Sequence, residues 1–282
     1  MRKIKIVMTF SLILLIIVIG CNKKDGSSAS IRDREVSADP ESDFIVVAID
    51  GGIGVEITRY VGDKVEVIIP PTFRNLPVTN IGVGAFENKN IYSVKIPNGV
   101  YNIGERAFSD NKLTSITIPN SVITIGERAF RNNQLTSVTI SNNVTRIADG
   151  VFNNNKLTSV IIPNGVTHID RNAFATNQLS SVDISPNVTN IGGGAFIGNE
   201  LTSINIPNSV TSIGGYAFAV NPIISVSIGA DVAINDDIIG YAEESGTLRS
   251  SGFRSFYINN SRAAGTYTRS NGDSTIWSSF TR

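Results

Sequence analysis

Phenylalanine stands at 86, 108, 130, 152, 174, 196 and 218, and every interval is 22 residues. Seven copies overlay on these positions without a gap, and the apolar residues around them keep register. Isoleucine lies five before each Phe, from Ile81 to Ile213, and ten after it, from Ile96 to Ile228. Leu or Ile lies five after, Val or Ile eight after, and Val fourteen after, from Val100 to Val232. A lone unit cannot bury these faces, whereas stacked units can, so the pattern predicts a solenoid. In Leu135 to Ile140 the apolar residues fall at spacings of three and two, which turns alternate residues of one short strand inward. Pro or Ser then ends the strand. A second extended stretch, Val-Thr-x-Ile, crosses the opposite wall, and the Ala-Phe segment makes a tight turn or a single helical turn.

The pattern also predicts how the array is closed, since solenoid ends expose apolar edges. Residues 44–49 and 53–58 read as two strands around Asp50-Gly51-Gly52, a hairpin signal. Val65 to Pro71 reads as a degenerate first coil, followed by an insertion over residues 72–77. Gly51-Gly52-Ile53-Gly54 is an incomplete dinucleotide-binding pattern followed by a strand instead of a helix, so a hairpin cap is the better account. After Val232 the pattern fails, because Asn235 stands where the next Ile is due. The expected organisation is therefore a cap and first coil over 44–77, seven repeats over 78–232, and a C-terminal cap over 233–282.

Ahead of the fold, Arg2, Lys3 and Lys5 precede a low-polarity run from Ile6 to Gly20. At fifteen residues it falls short of the about 20 needed to span a bilayer, and it suits the core of a secretory signal, residues 1–20. The run ends Val18-Ile19-Gly20-Cys21, which resembles the lipobox of bacterial lipoproteins. That resemblance implies cleavage before Cys21 and a diacylglyceryl group on its thiol, hence a membrane contact through lipid. Residues 21–43 are rich in Ser, Asp, Glu, Lys and Arg, with little to bury, and read as a flexible tether.

The repeat wording, I-G-x-x-A-F…L-x-S-V-x-I-P-x-x-V, resembles the BspA-type leucine-rich repeat of bacterial surface proteins. The Ala-Phe pair makes the resemblance specific. It implies a β-rich leucine-rich-repeat arc of short parallel strands joined by short turns or 3-10 segments; a right-handed parallel β-helix is the alternative. The chain departs from the commoner family form by carrying Asn where many members have Cys, as at Asn111, Asn133 and Asn155. The fourth copy also has Ala148 and Val151 in place of Gly and Ala. The resemblance further implies an envelope location, on the surface or in the periplasm, and a non-enzymatic role in protein contact, with adhesion to host proteins or cells among the family's roles. The run Tyr257 to Arg269 resembles a segment that closes such repeats in some bacterial lipoproteins.

Composition narrows the chemistry. With 24 basic and 24 acidic residues in 282, the chain has no net charge, which gives no support to a nucleic-acid partner. Cleavage before Cys21 would leave 21 basic against 24 acidic groups, a net charge of −3. One cysteine excludes an internal disulfide, and one histidine with it excludes a Cys/His zinc cluster. No cofactor is expected. His168 occupies a register otherwise filled by Asn, Thr, Arg and Ser, so it reads as a surface residue, and no distinct serine stands by it for a catalytic triad. The serine and asparagine columns repeat in every coil and therefore serve the coil. Asp231, Asp236, Asp237, Glu243 and Glu244 lack calcium-loop spacing.

Function is sought where the repeat varies. Nine after each Phe, on the strand and pointing outward, run Lys95, Thr117, Thr139, Ile161, Asp183, Asn205 and Ser227. This column is the candidate binding face, since solenoids present their strand wall as an extended surface. It holds no aromatic or Arg, the usual interface anchors, so a structural envelope role without a soluble ligand also fits. A carbohydrate-binding or -cleaving β-helix would need Asp, Arg and aromatic residues clustered on one face, and no column of the repeat shows that. With nine basic and nine acidic residues over 78–232, no patch stands out along the sequence.

Overall fold

The computed structural model describes residues 37–242, 248–270 and 276–280; the signal segment, Cys21 and most of the tether lie outside them. Each 22-residue unit is one coil of a leucine-rich-repeat solenoid. Its front wall is a three-residue strand, as in Ser115–Thr117 and Ser137–Thr139, and its back wall a two-residue strand, as in Asn102–Ile103 and His168–Ile169. Equivalent strands pair in parallel with no slip, Ser137 on Ser115 and Arg146 on His168. The parallel register follows from the gapless overlay, because every coil returns the same residue to the same height.

The corner holding Ala-Phe is a pair of turns, not a helix. In the second coil the Ala107 N–H donates to Gly104 O and the Ser109 N–H to Arg106 O. The third residue of the first turn has positive φ in every coil, whether glycine (Gly84, Gly150, Gly194) or Arg106, Arg128, Asn172 and Tyr216. The corner also bonds to the next coil, with the Phe108 N–H on Ala129 O and the Arg106 N–H on Glu127 O. The seven Phe rings are buried and stack in one column, with centroids 4.9 to 5.7 Å apart. The widest step, 5.7 Å, lies between Phe130 and Phe152. There the back-wall ladder also breaks, between Thr124–Ile125 and Arg146–Ile147. At the register of Gly126 the fourth coil carries Ala148; the fifth carries Asp170 there and the ladder continues, so a Cβ at this position does not by itself interrupt it.

Asparagine has two jobs that the sequence does not separate. Two after Phe, Asn88, Asn132 and Asn154 take positive φ and make the turn. Three after Phe, Asn111, Asn133, Asn155, Asn177, Asn199 and Asn221 are buried. The Asn133 amide donates to Phe108 O of the preceding coil and to Phe130 O of its own, while its Oδ1 accepts the Leu113 N–H. Backbone groups that a buried corner would leave unpaired are thus satisfied, coil after coil.

The front wall carries a second period. Its strands pair two by two, Ser115–Thr117 with Ser137–Thr139, Ser159–Ile161 with Ser181–Asp183, and Ser203–Asn205 with Ser225–Ile228, without a continuous ladder between pairs. Within a pair the Ile118 N–H reaches Thr139 O and the Ile162 N–H reaches Asp183 O. From the second coil on, the chain alternates in step: Pro119, Ser141, Pro163, Ser185, Pro207 after the strand, and Lys112, Gln134, Lys156, Gln178 before it; the first coil, with Pro97, stands outside the alternation. The Ser coil ties back to the Pro coil, with Ser141 Oγ donating to Val122 O and the Asn143 amide to Asn120 O.

At the N-terminal end, Phe44–Ile49 and Gly54–Tyr60 form an antiparallel hairpin whose second strand lies parallel to Leu76–Ile81. Tyr60 continues the aromatic column, stacked on Phe86 at 5.4 Å, and its N–H bonds Ala85 O as each Phe does one coil on. Glu66–Ile68 pairs in parallel with Ser93–Lys95. At the other end the back wall runs one strand beyond the regular spacing: Ala233–Ile234 pairs with Ser212–Ile213. Ile234 takes the core place in a coil one residue short, which is why Asn235 occupies the position where Ile is due. Gly265–Thr268 then lies antiparallel on Ser225–Ile228. Behind it a helix, Phe253–Asn259, brings Phe253 and Tyr257 against Tyr267 and Trp277.

Candidate functional site

The outward column of the front wall is a row of neighbouring side chains at one register. Lys95, Thr117, Thr139, Ile161, Asp183 and Asn205 are exposed, and Ile161 is 73% accessible, a lone apolar point in a polar row. The serines two positions earlier, Ser93 to Ser203, are exposed beside them. Ser227, expected as the seventh member, is half-buried: the closing strand covers it, and its hydroxyl meets Thr266 Oγ1 at 2.7 Å. The open face therefore has six positions, and it ends where the C-terminal cap begins. At the start of the wall Lys112 lies over the Tyr92 ring, 5.4 Å from its centre, which adds an aromatic beside the column that the column itself lacks.

The other residues singled out in the sequence fall elsewhere. His168 is half-buried on the back wall, between Arg146 and Asn190 of the neighbouring coils, with Nδ1 2.9 Å from Thr167 Oγ1. Asp237, read as part of an acidic stretch, is buried and organises the cap: its carboxylate accepts from Ser250 Oγ, the Gly252 N–H and the Arg254 N–H at the start of the helix. Among the described residues no group of three or more His, Cys, Asp or Glu is placed to hold a metal ion, and no helix is long and apolar enough to cross a membrane.

One constellation escaped the column-by-column reading. The five arginines of residues 78–232 lie along the ridge that runs from the back wall through the Phe corner: Arg146 on the back-wall strand, Arg106, Arg128 and Arg171 at the turn, and Arg131 just past Phe130. They occupy four registers, so no column reveals them, and only the fold of the corner brings those registers together. Arg106 faces Glu105 and Arg146 pairs with Asp170. Asp110, on the same ridge, is pulled two ways. Burial would raise its carboxyl, but hydrogen bonds from Ser109 and Asn132, with Arg131 and Arg106 near, hold it below the ordinary value.

Residues 79–199 match the family described as BspA type leucine rich repeat region, in six copies. Among solved structures, a leucine-rich repeat protein from Bacteroides ovatus is 21% identical, over 72% of this chain and 68% of that one, with a TM-score of 0.48. A leucine rich cell surface protein from Faecalibacterium prausnitzii is also 21% identical, over 76% and 77%, with a TM-score of 0.37. The T. pallidum leucine rich repeat protein is 20% identical, over 65% and 78%, with a TM-score of 0.38. No curated protein sequence matches the chain. In residue pattern and family match, residues 79–199 of this chain are BspA-type leucine-rich repeats.

Proposed function

We propose that this chain is a lipid-anchored protein of a bacterial envelope that binds a protein partner through its front strand wall, in the setting of adhesion to host proteins or cells. The observation that carries the reading is the six-position outward row from Lys95 to Asn205, regularly spaced on the strand wall and varied while the core registers are constant. The anchor rests on the run from Ile6 to Gly20 and on Cys21, and the adhesive setting on the family resemblance. The row has no arginine or aromatic hot spot, which favours weak contacts multiplied over many molecules at one surface over a single tight complex. The protein acts here as a binder, without catalysis.

Labelled palmitate should enter the wild-type protein and not Cys21→Ala. Protease added to intact cells should cleave the anchored protein if it is displayed outward. The purified protein should bind extracellular-matrix proteins or cells saturably, and Thr117→Glu with Thr139→Glu should abolish that binding while leaving the thermal transition unchanged. Absence of saturable binding, or binding indifferent to the pair, overturns the front-wall reading.

A further inference from the structure

We propose that the turn ridge of the third to fifth coils carries a second binding site, for an acidic saccharide, a sugar ring bearing carboxylate or sulfate. It lies on a different face from the strand row and does not depend on it. Arg128 and Arg131 from the third coil and Arg171 from the fifth border a depression of about 320 Å³, at the small end of the roughly 300–1,000 Å³ usual for ligand sites. Arg106 and Arg146 on the same ridge pair with carboxylates, whereas the side chains of these three make no hydrogen bond or ion pair, Arg131 acting on Asp110 only through space. Guanidinium groups present planar paired donors that match a carboxylate or sulfate.

The depression exists because the fourth coil, between them, has glycine at the corner. Gly150 lines the depression, is buried with φ +59°, and a Cβ there would stand 3.3 Å from Arg128 Cγ and 3.8 Å from Asn153 Cβ. The neighbouring coils carry Arg128 and Asn172 at the same register, so the missing side chain leaves a gap one coil wide.

The rest of the lining selects among anions. Asp149 offers only acceptors, and Asn153 and Asn172 offer both donors and acceptors. A hydroxyl-rich ligand supplies the donors that Asp149 requires while its acidic group meets the arginines. No apolar or aromatic side chain lines the hollow, so a peptide would find nowhere to seat an apolar anchor. A face combining Asp and Arg is the feature that the repeat columns lacked, and the corner assembles it.

The test measures binding of the full chain to polygalacturonate, chondroitin sulfate, neutral dextran and polyglutamate by calorimetry at low and moderate salt. Saturable binding to one or both acidic polysaccharides is expected, weaker at higher salt, with none to dextran. Arg128→Gln with Arg171→Gln should reduce affinity at least tenfold, and Asn172→Asp should reduce it as well. Lys156→Gln, an exposed charge outside the depression, should leave affinity unchanged. Preference between galacturonate and sulfate identifies the anion. The proposal is overturned by equal affinity for polyglutamate, by no saturable binding to either acidic polysaccharide, or by equal losses in the arginine and Lys156 variants. Unchanged melting of each variant keeps a folding defect from being read as lost affinity.

Discussion

The interior of the array and its C-terminal cap solve the same problem, closing a corner of backbone, by opposite means. In the interior each solution is repeated. Six buried asparagines bind the corner carbonyls, and seven phenylalanines stack in one file, so stability is a sum over coils and their interfaces. In the cap every solution is used once. One carboxylate, Asp237, gathers hydroxyl and N–H donors, Trp277 donates its ring N–H to Ser251 O, and Tyr257 bridges Gly229 O and the Val232 N–H. A regular array uses one device many times, while its terminus must be built from residues with no second copy.

The largest effect is expected at the centre of the file. Phe152→Ala should cost about 3–5 kcal/mol, because neither neighbouring ring can fill the space. The interfaces on both sides lie inside the array, so urea unfolding followed at both ends should separate into two transitions. A single transition shifted as a whole would mean that the coils act as one unit. In the cap, Asp237→Ala should cost about 3 kcal/mol by leaving buried donors unmatched. Its effect should stay local: the Tyr257–Trp277 region should lose protection in hydrogen exchange while the second and third coils keep theirs.

The smallest effect concerns pH. Burial, with Asp39 and Asp43 near, pushes the Tyr60 phenol up to about 12, and burial likewise raises Tyr257 and Tyr267 at the other end. The unfolded chain loses these protons near pH 10, whereas the folded chain holds them longer. Their stabilisation is therefore complete below pH 10 and falls away for Tyr60 between about 10 and 12. Tyr60→Phe keeps the stack on Phe86 and should make the melting temperature drop less between pH 9 and pH 11 than in the wild type. An equal drop would place the alkaline weakness in the C-terminal cap alone.

The solenoid was legible because each coil meets the same constraint, so inward residues recur at one register and the Phe interval measures the coil. The strand and its outward column follow from the same count. What stayed hidden depends on contacts between registers or between coils. In Asn132-Asn133 one residue makes the turn and the next binds three carbonyls, yet the pair reads as a single polar run. The burial of Ser227 comes from a strand some forty residues later in the chain. Ile234 reaches the core through a coil one residue short, which a fixed count of 22 reads as failure. The ridge arginines sit in four registers, and a column holds only one. Overlaying every second copy would have exposed the alternation of Pro with Ser and Lys with Gln, since a 22-residue overlay averages the two.

That alternation bears on how such an array changes length. The front strands are joined in twos, and the Ser coil reaches back to the Pro coil before it, so the unit that fits its neighbours on both sides is 44 residues long. Losing or gaining one coil between Pro119 and Pro207 would set two coils of like kind side by side and leave one front strand without its pair. Duplication or deletion by 44 residues would preserve every joint. Descendants of this chain, natural or engineered, are therefore expected to differ from it by even numbers of coils.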